Sequence, residues 1–135
     1  MKGYYANIED ETIKNQSFRK VAYTGAYSQL VYMKLKPGES IGQERHGNDQ
    51  FFRFEHGTGL VTIDDNEYKV KDGSGVIVPA GATHNVTNTS AVDDLHLYTI
   101  YSVPHHLDGA ESKTKAHAEA KDLPFDGRTT EHQTH

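Results

Sequence analysis

Cysteine and tryptophan are absent from the 135 residues, and proline occurs only four times. Without cysteine there is no disulfide framework and no thiolate site, so any metal must be held by nitrogen and oxygen donors, which excludes finger-type zinc and cluster sites. No apolar run approaches the roughly 20 residues of a membrane span, and the opening MKGYYANIEDETIK carries no apolar signal core, so a soluble, cytoplasmic chain away from membranes is expected. The glycosylation-like triplets at Asn15, Asn85 and Asn88 therefore read as turn and strand chemistry. Fourteen Lys and Arg stand against nineteen Asp and Glu for a net charge of −5. The basic residues are scattered rather than striped, so nucleic acid is not an expected partner. Internal repeats and low-complexity stretches are also missing, and the length fits one domain.

What is present is a succession of short β-patterned segments separated by turn residues. RKVAYT and SQLVYMKL divide at Gly25-Ala26, GLVTI and EYKV form a hairpin around Asp64-Asp65-Asn66, VIVP follows the Gly73-Ser74-Gly75 turn, and LHLYTIYSV runs up to Pro104. With no helical period between them, these predict an all-β antiparallel barrel or jelly roll over residues 18–104. Residues 1–17 read as an arm with one short helical turn after Asn7. Residues 105–135 read as a segment with a short helix from about Thr114 to Lys121 and a disordered polar tail, in which His117, His132 and His135 are solvent-exposed. Met33 and the tyrosines are expected to line the barrel.

The chemistry concentrates in two stretches. In Gly38–Gly57, strand alternation puts Glu44 and His46 on one face and Gln50, Phe52 and Phe54 on another, while Gly47, Asn48 and Asp49 let the chain fold back between them. Gly73–Asn88 supplies His84 within a frame of turn residues. As spacings, the first stretch is Gly38, five residues, Glu44-x-His46, three residues, Gln50, six residues, Gly57; the second is Gly73, five residues, Pro79-x-Gly81, two residues, His84, three residues, Asn88.

These spacings resemble the two signature motifs of the cupin superfamily, G-x5-H-x-H-x3,4-E-x6-G and G-x5-P-x-G-x2-H-x3-N. The second match is complete; the first departs at Glu44, where the family usually has histidine, and at Gln50, where it usually has glutamate. The resemblance covers about Phe18 to Tyr101 and implies a small single-barrel cupin, a double-stranded β-helix or jelly roll with the short C-terminal helix added. It also implies that Glu44, His46, Gln50 and His84 surround one point inside the barrel. Two imidazoles, a carboxylate and an amide oxygen suit a divalent manganese, iron, cobalt, nickel or zinc ion. Small cupins usually pair as homodimers. An alternative in which Glu44 pairs with Arg45 or Arg53 and Gln50 makes only a core hydrogen bond stays open on the sequence.

With a single anionic ligand, a bound M2+ keeps a net charge of about +1 and can still polarise a carbonyl or acidify water. Three classes of function follow: a metal-dependent isomerase, epimerase or lyase acting on a sugar or keto-acid-like molecule, in the manner of cupins labelled mannose-6-phosphate isomerase-like; an iron dioxygenase built on Glu44, His46 and His84; and a non-catalytic small-molecule binder. Tyr98 and Tyr101 are candidate proton donors. His105 and His106 are placed at the barrel mouth, His56 on the rim, and His96 in a core or surface hydrogen bond. Alternation turns Arg53 away from the pocket, and no other arginine is identified there to clamp an anion.

Overall fold

The computed structural model describes residues 1–131. In chain order the elements are α1 (Ile8–Lys14), β1 (Arg19–Thr24), β2 (Gln29–Leu35), β3 (Asp49–His56), β4 (Gly59–Ile63), β5 (Asn66–Val70), β6 (Gly75–Val78), β7 (His84–Asn88), β8 (Leu95–Ser102), β9 (Glu111–Ser112) and α2 (Lys115–Ala120). The strands form a larger sheet in the order β6-β3-β8-β2-β1-β9 and a smaller one in the order β5-β4-β7, and every named pair is antiparallel. This is the expected jelly-roll barrel.

Alternation fixes which side chains fill it. On β2, Val31, Met33 and Leu35 lie opposite Thr99, Leu97 and Leu95 of β8, and all six are buried. Phe52 and Phe54 of β3 join them, with Val61, Val70 and Val86 facing from the smaller sheet. Each such aliphatic or aromatic side chain contributes roughly 1.5–3 kcal/mol by leaving water. Met33 lines the barrel as expected. Tyr32 does not: it is on the opposite face of β2, buried beneath the N-terminal arm, with its hydroxyl 2.7 Å from that of Tyr4. That outer face is covered by α1, which packs across β2, β3 and β8. The Asn7 side chain caps α1 by accepting from the Asp10 N–H, and Glu9, Asp10 and Glu11 occupy its positive end.

Two sequence expectations need correction. Glu44 and His46 do not sit on a regular strand; residues 36–48 pair with β7 through isolated bridges, Ser40 to Thr87 and Glu44 to His84, rather than a continuous ladder. The turn-rich composition there, with Gly38 and Gly42 at positive φ, interrupts the ladder. The tail is also not a free polar extension. Leu107 N–H donates to Leu123, Phe125 N–H to His105 and Thr130 N–H to Thr24, while Glu131 accepts from the N–H groups of Lys2 and Gly3. His117 is exposed as expected; His132 and His135 lie outside the described residues. α2 forms where expected, capped by Thr114, whose hydroxyl accepts from the His117 N–H.

Several residues of the sequence motifs serve the scaffold. Asn88 is 1% exposed, and its side-chain NH2 donates to the carbonyls of Leu35 and Asp93, tying β2 to the loop before β8. Gly57 has φ +109°, and a Cβ there would meet the Asp94 carbonyl at 2.8 Å, so only glycine lets β3 pass so close to that loop. No described helix is long and apolar enough to cross a membrane.

Candidate metal site

The bridge between the irregular segment and β7 aligns the first two site residues. Glu44 N–H donates to the His84 carbonyl and His84 N–H to the Glu44 carbonyl, each at 2.8 Å, so the two side chains start from paired positions. His46 is held two residues on, where its carbonyl accepts from Gly81 N–H at 2.9 Å. One ligand-type atom from each of Glu44, His46 and His84 lies within 4.8 Å of the others, a spacing compatible with one shared ion, each donor lying roughly 2 Å from it. His46 Nε2 is 4.0 Å from the Glu44 carboxylate, too far for a direct hydrogen bond.

The donor set fits a cation on three counts. His84 Nδ1 lies 3.0 Å from the Ala82 carbonyl, which can only accept; the proton therefore sits on Nδ1 and leaves the Nε2 lone pair for a ligand. Gln50, 2% exposed, donates its NH2 to Thr99 Oγ1 at 2.9 Å, which turns its oxygen to within 3.1 Å of His46 Nε2. His46 is then incomplete in either tautomer. A proton on Nε2 satisfies Gln50 but leaves Nδ1 buried without a hydrogen-bond partner, while a proton on Nδ1 aims the Nε2 lone pair at the Gln50 oxygen. A cation would take up the electron pairs that converge there. Burial, with His84 next to it, also holds the His46 imidazole below its ordinary pKa, so it is neutral at pH 7, as ligation requires. Burial raises the Glu44 carboxyl, opposed by His84 and Arg19.

The ion pairs considered on sequence do not engage Glu44. Arg45 Nε donates to the Gly81 carbonyl, and Arg53 pairs with Glu55 at 2.6 Å, facing away from the pocket. Gln50 does make the core hydrogen bond to Thr99, but with its oxygen still presented to His46. Phe52 lies beside the site, 6.3 Å from the His84 ring between centroids. His56 is exposed at the end of β3, 3.7 Å from Asp72. His96 is buried on the outer face of β8, the face that α1 covers. Tyr98 also lies on the outer face, next to Phe51.

Glu44 and His46 open onto a cleft of about 560 Å3. Its far wall brings in groups that sequence spacing ranked low or passed over. The His105 ring lies 4.7 Å from that of His46 and stacks on Tyr101 at 5.1 Å. His106 Nε2 is 3.2 Å from the Tyr101 hydroxyl. Burial keeps that hydroxyl protonated far above its usual range and pushes His106 down to about 2, so Tyr101 donates and His106 accepts. Both histidines are pinned by Gln29, 0% exposed, whose oxygen accepts from the N–H groups of His105 and His106 while its NH2 donates to the His106 carbonyl and to Thr24 Oγ1. Arg19 completes the wall. Alternation from the buried Val31 and Val21 would have turned both Gln29 and Arg19 inward.

An antiparallel double-sheet barrel with a two-histidine, one-carboxylate cluster at its mouth defines a class of β-barrel able to hold a divalent ion. The cupin-domain family profile matches residues 31–101. The chain belongs to the cupin family. It is 41% identical over 126 residues to the Bacillus subtilis protein YrkC, itself uncharacterised, covering 88% of this chain and 67% of that one. It is equally 41% identical, over 110 residues, to the uncharacterised protein L612 of Acanthamoeba polyphaga mimivirus, covering 78% of this chain and 69% of that one. The crystal structure of BH2720 from Bacillus halodurans superposes with a TM-score of 0.86 at 40% identity, covering 89% of this chain and 96% of that chain.

Proposed function

We propose that the chain binds a divalent metal ion through Glu44, His46, His84 and the Gln50 oxygen, and catalyses isomerisation, epimerisation or elimination on a small polar substrate. The observation that carries this reading is the placement of the neutral-favouring His105 imidazole on the cleft wall beside His46. A bound ion supplies Lewis acidity to a substrate oxygen at the end of the cleft. His105, held below its ordinary pKa first by burial and then by His46, accepts a proton from the neighbouring carbon. Tyr101 and Gln29 keep the base in place, the first by stacking on its ring and the second through its backbone N–H. Phe52 and the buried β3 face restrict water on the barrel side.

The same Glu44, His46 and His84 set is the two-histidine, one-carboxylate pattern of iron oxygenases. The two readings separate on oxygen. Protein stripped with chelator and reloaded with zinc, incubated under nitrogen in D2O with a panel of sugars and oxo- and hydroxy-acids, should exchange a substrate C–H for deuterium as read by NMR. Turnover found only with Fe(II) and oxygen would replace this proposal with the oxygenase; binding without exchange under any condition would leave a ligand-binding barrel.

The proposal extends to a homodimer in the cytoplasm. β6 is the outer strand of the larger sheet and carries Ile77 at 70% exposure, an edge that a second copy would cover. Sedimentation at micromolar concentration should show twice the 15.1 kDa chain mass; a purely monomeric species contradicts the pairing.

A further inference from the structure

We propose that Arg19 is the substrate-recognition residue of the cleft and that the substrate bears a carboxylate that its guanidinium binds, making it a short hydroxy- or oxo-acid. The inference rests on the reading above for the reacting groups and adds the chemistry of recognition.

Arg19 is the first residue of β1, opposite the buried Met33 and on the same strand face as the buried Val21, so its side chain starts on the interior side of the sheet. It is half-buried and lines the same cleft as Glu44, His46 and His105. No hydrogen bond or ion pair of its guanidinium occurs among the described residues, whereas the other cleft arginine, Arg45, is tied to the Gly81 carbonyl. Its charge acts on its neighbours in the cleft: it opposes the rise of the Glu44 carboxyl and adds to the depression of His105 and His106. An unpaired guanidinium facing a concave site offers a planar fork of N–H donors that matches a carboxylate in two parallel hydrogen bonds.

The charged groups of the lining balance one another before an ion is added. α2 and the residue pair after it add Lys115, Glu119 and Asp122 to the lining, so the three cations Arg19, Arg45 and Lys115 face the three acids Glu44, Glu119 and Asp122. With the ion bound the cleft carries a net charge of about +2, which attracts an acid's anion, and the planar fork of the unpaired Arg19 guanidinium matches a carboxylate in two parallel hydrogen bonds. Glu119 and Asp122 can in turn accept hydrogen bonds from substrate hydroxyls. The volume of about 560 Å3 suits a small acid.

The test is isothermal titration with a matched set: gluconate and 2-oxobutyrate as carboxylates, glucose as the neutral counterpart, and glucose 6-phosphate as the phosphate. Each is titrated into zinc-loaded and chelator-stripped wild type, Arg19→Gln and Arg19→Lys. At least one carboxylate should bind wild type, weaken by about tenfold or more in Arg19→Gln in both metal states, and recover partly in Arg19→Lys; glucose should be indifferent to the substitution. Equal carboxylate affinity in wild type and Arg19→Gln, or no carboxylate binding at all, overturns the assignment, as does tighter Arg19-dependent binding of glucose 6-phosphate. The stripped arm keeps the inference separate from the metal reading: Arg19-dependent binding that is indifferent to zinc counts against the Lewis-acid proposal and leaves this one standing. Arg19→Gln should melt with wild type, and failure to fold would itself contradict a guanidinium without an internal hydrogen bond or ion pair.

Discussion

Glu44→Gln is expected to weaken divalent-metal binding by at least about 100-fold, and His84→Ala to abolish it, with both proteins still folded. Glu44 carries the only negative charge of the set, and its amide would leave the full charge of the ion uncompensated in a half-buried site. His84 is the donor whose tautomer the fold fixes, through Nδ1 and the Ala82 carbonyl. Titration of stripped protein with manganese or zinc reads both variants, and Glu44→Gln binding metal as tightly as wild type would remove Glu44 from the ligand set. Because Glu44 and Gln50 together conserve the single negative charge of the usual motif while exchanging a nitrogen donor for oxygen, the double variant Glu44→His, Gln50→Glu should keep binding and shift preference from manganese toward nickel or zinc. The pH dependence has two parts. As pH falls, His46, depressed by burial, takes up a proton later than an ordinary imidazole, and Glu44, raised by burial, earlier than an ordinary carboxylate; protonation of either ligand competes with the ion, so acidification weakens metal binding.

Gln29→Leu should cost about 3 kcal/mol or more and lower the melting temperature by roughly 10 °C. The leucine fills a similar volume but leaves the N–H groups of His105 and His106 and the His106 carbonyl without the partner they have in the fold. Each buried group so stranded costs about 1–3 kcal/mol. The segment after β8 loses its anchor, so His105 should lose its fixed place against His46 while the metal set stays intact. Calorimetry and metal titration together read this: a stability loss below about 1 kcal/mol would show that Gln29 is not the pin of the cleft wall.

The barrel was legible because alternation and turn chemistry are local. RKVAYT became β1 with the same bounds, and both the helix capped by Asn7 and the one capped by Thr114 stand where their sequences place them. Glu44, His46 and His84 are gathered as the motif spacing implies, although the Glu-x-His pair reaches its geometry from an irregular segment rather than a strand. What the sequence hid depends on contacts between distant residues. The tail has few apolar residues to announce that it packs, and its attachment is made of backbone hydrogen bonds and of Glu131, more than 100 residues from its partners Lys2, Gly3 and Tyr23. His105 follows Pro104, after which strand parity no longer says where a side chain points. Arg19 was accessible to the same alternation that found Phe52, but its charge at a strand start reads as surface unless the cleft is seen beside it.

The central claim is that Glu44, His46 and His84, with the Gln50 oxygen, hold one divalent ion at the cleft mouth. Crystals grown from stripped protein and soaked in manganese test it most directly through anomalous scattering. The account predicts one peak per chain, roughly 2 Å from the Glu44 carboxylate and from Nε2 of His46 and His84; no peak there, or manganese bound elsewhere on the chain, would contradict it.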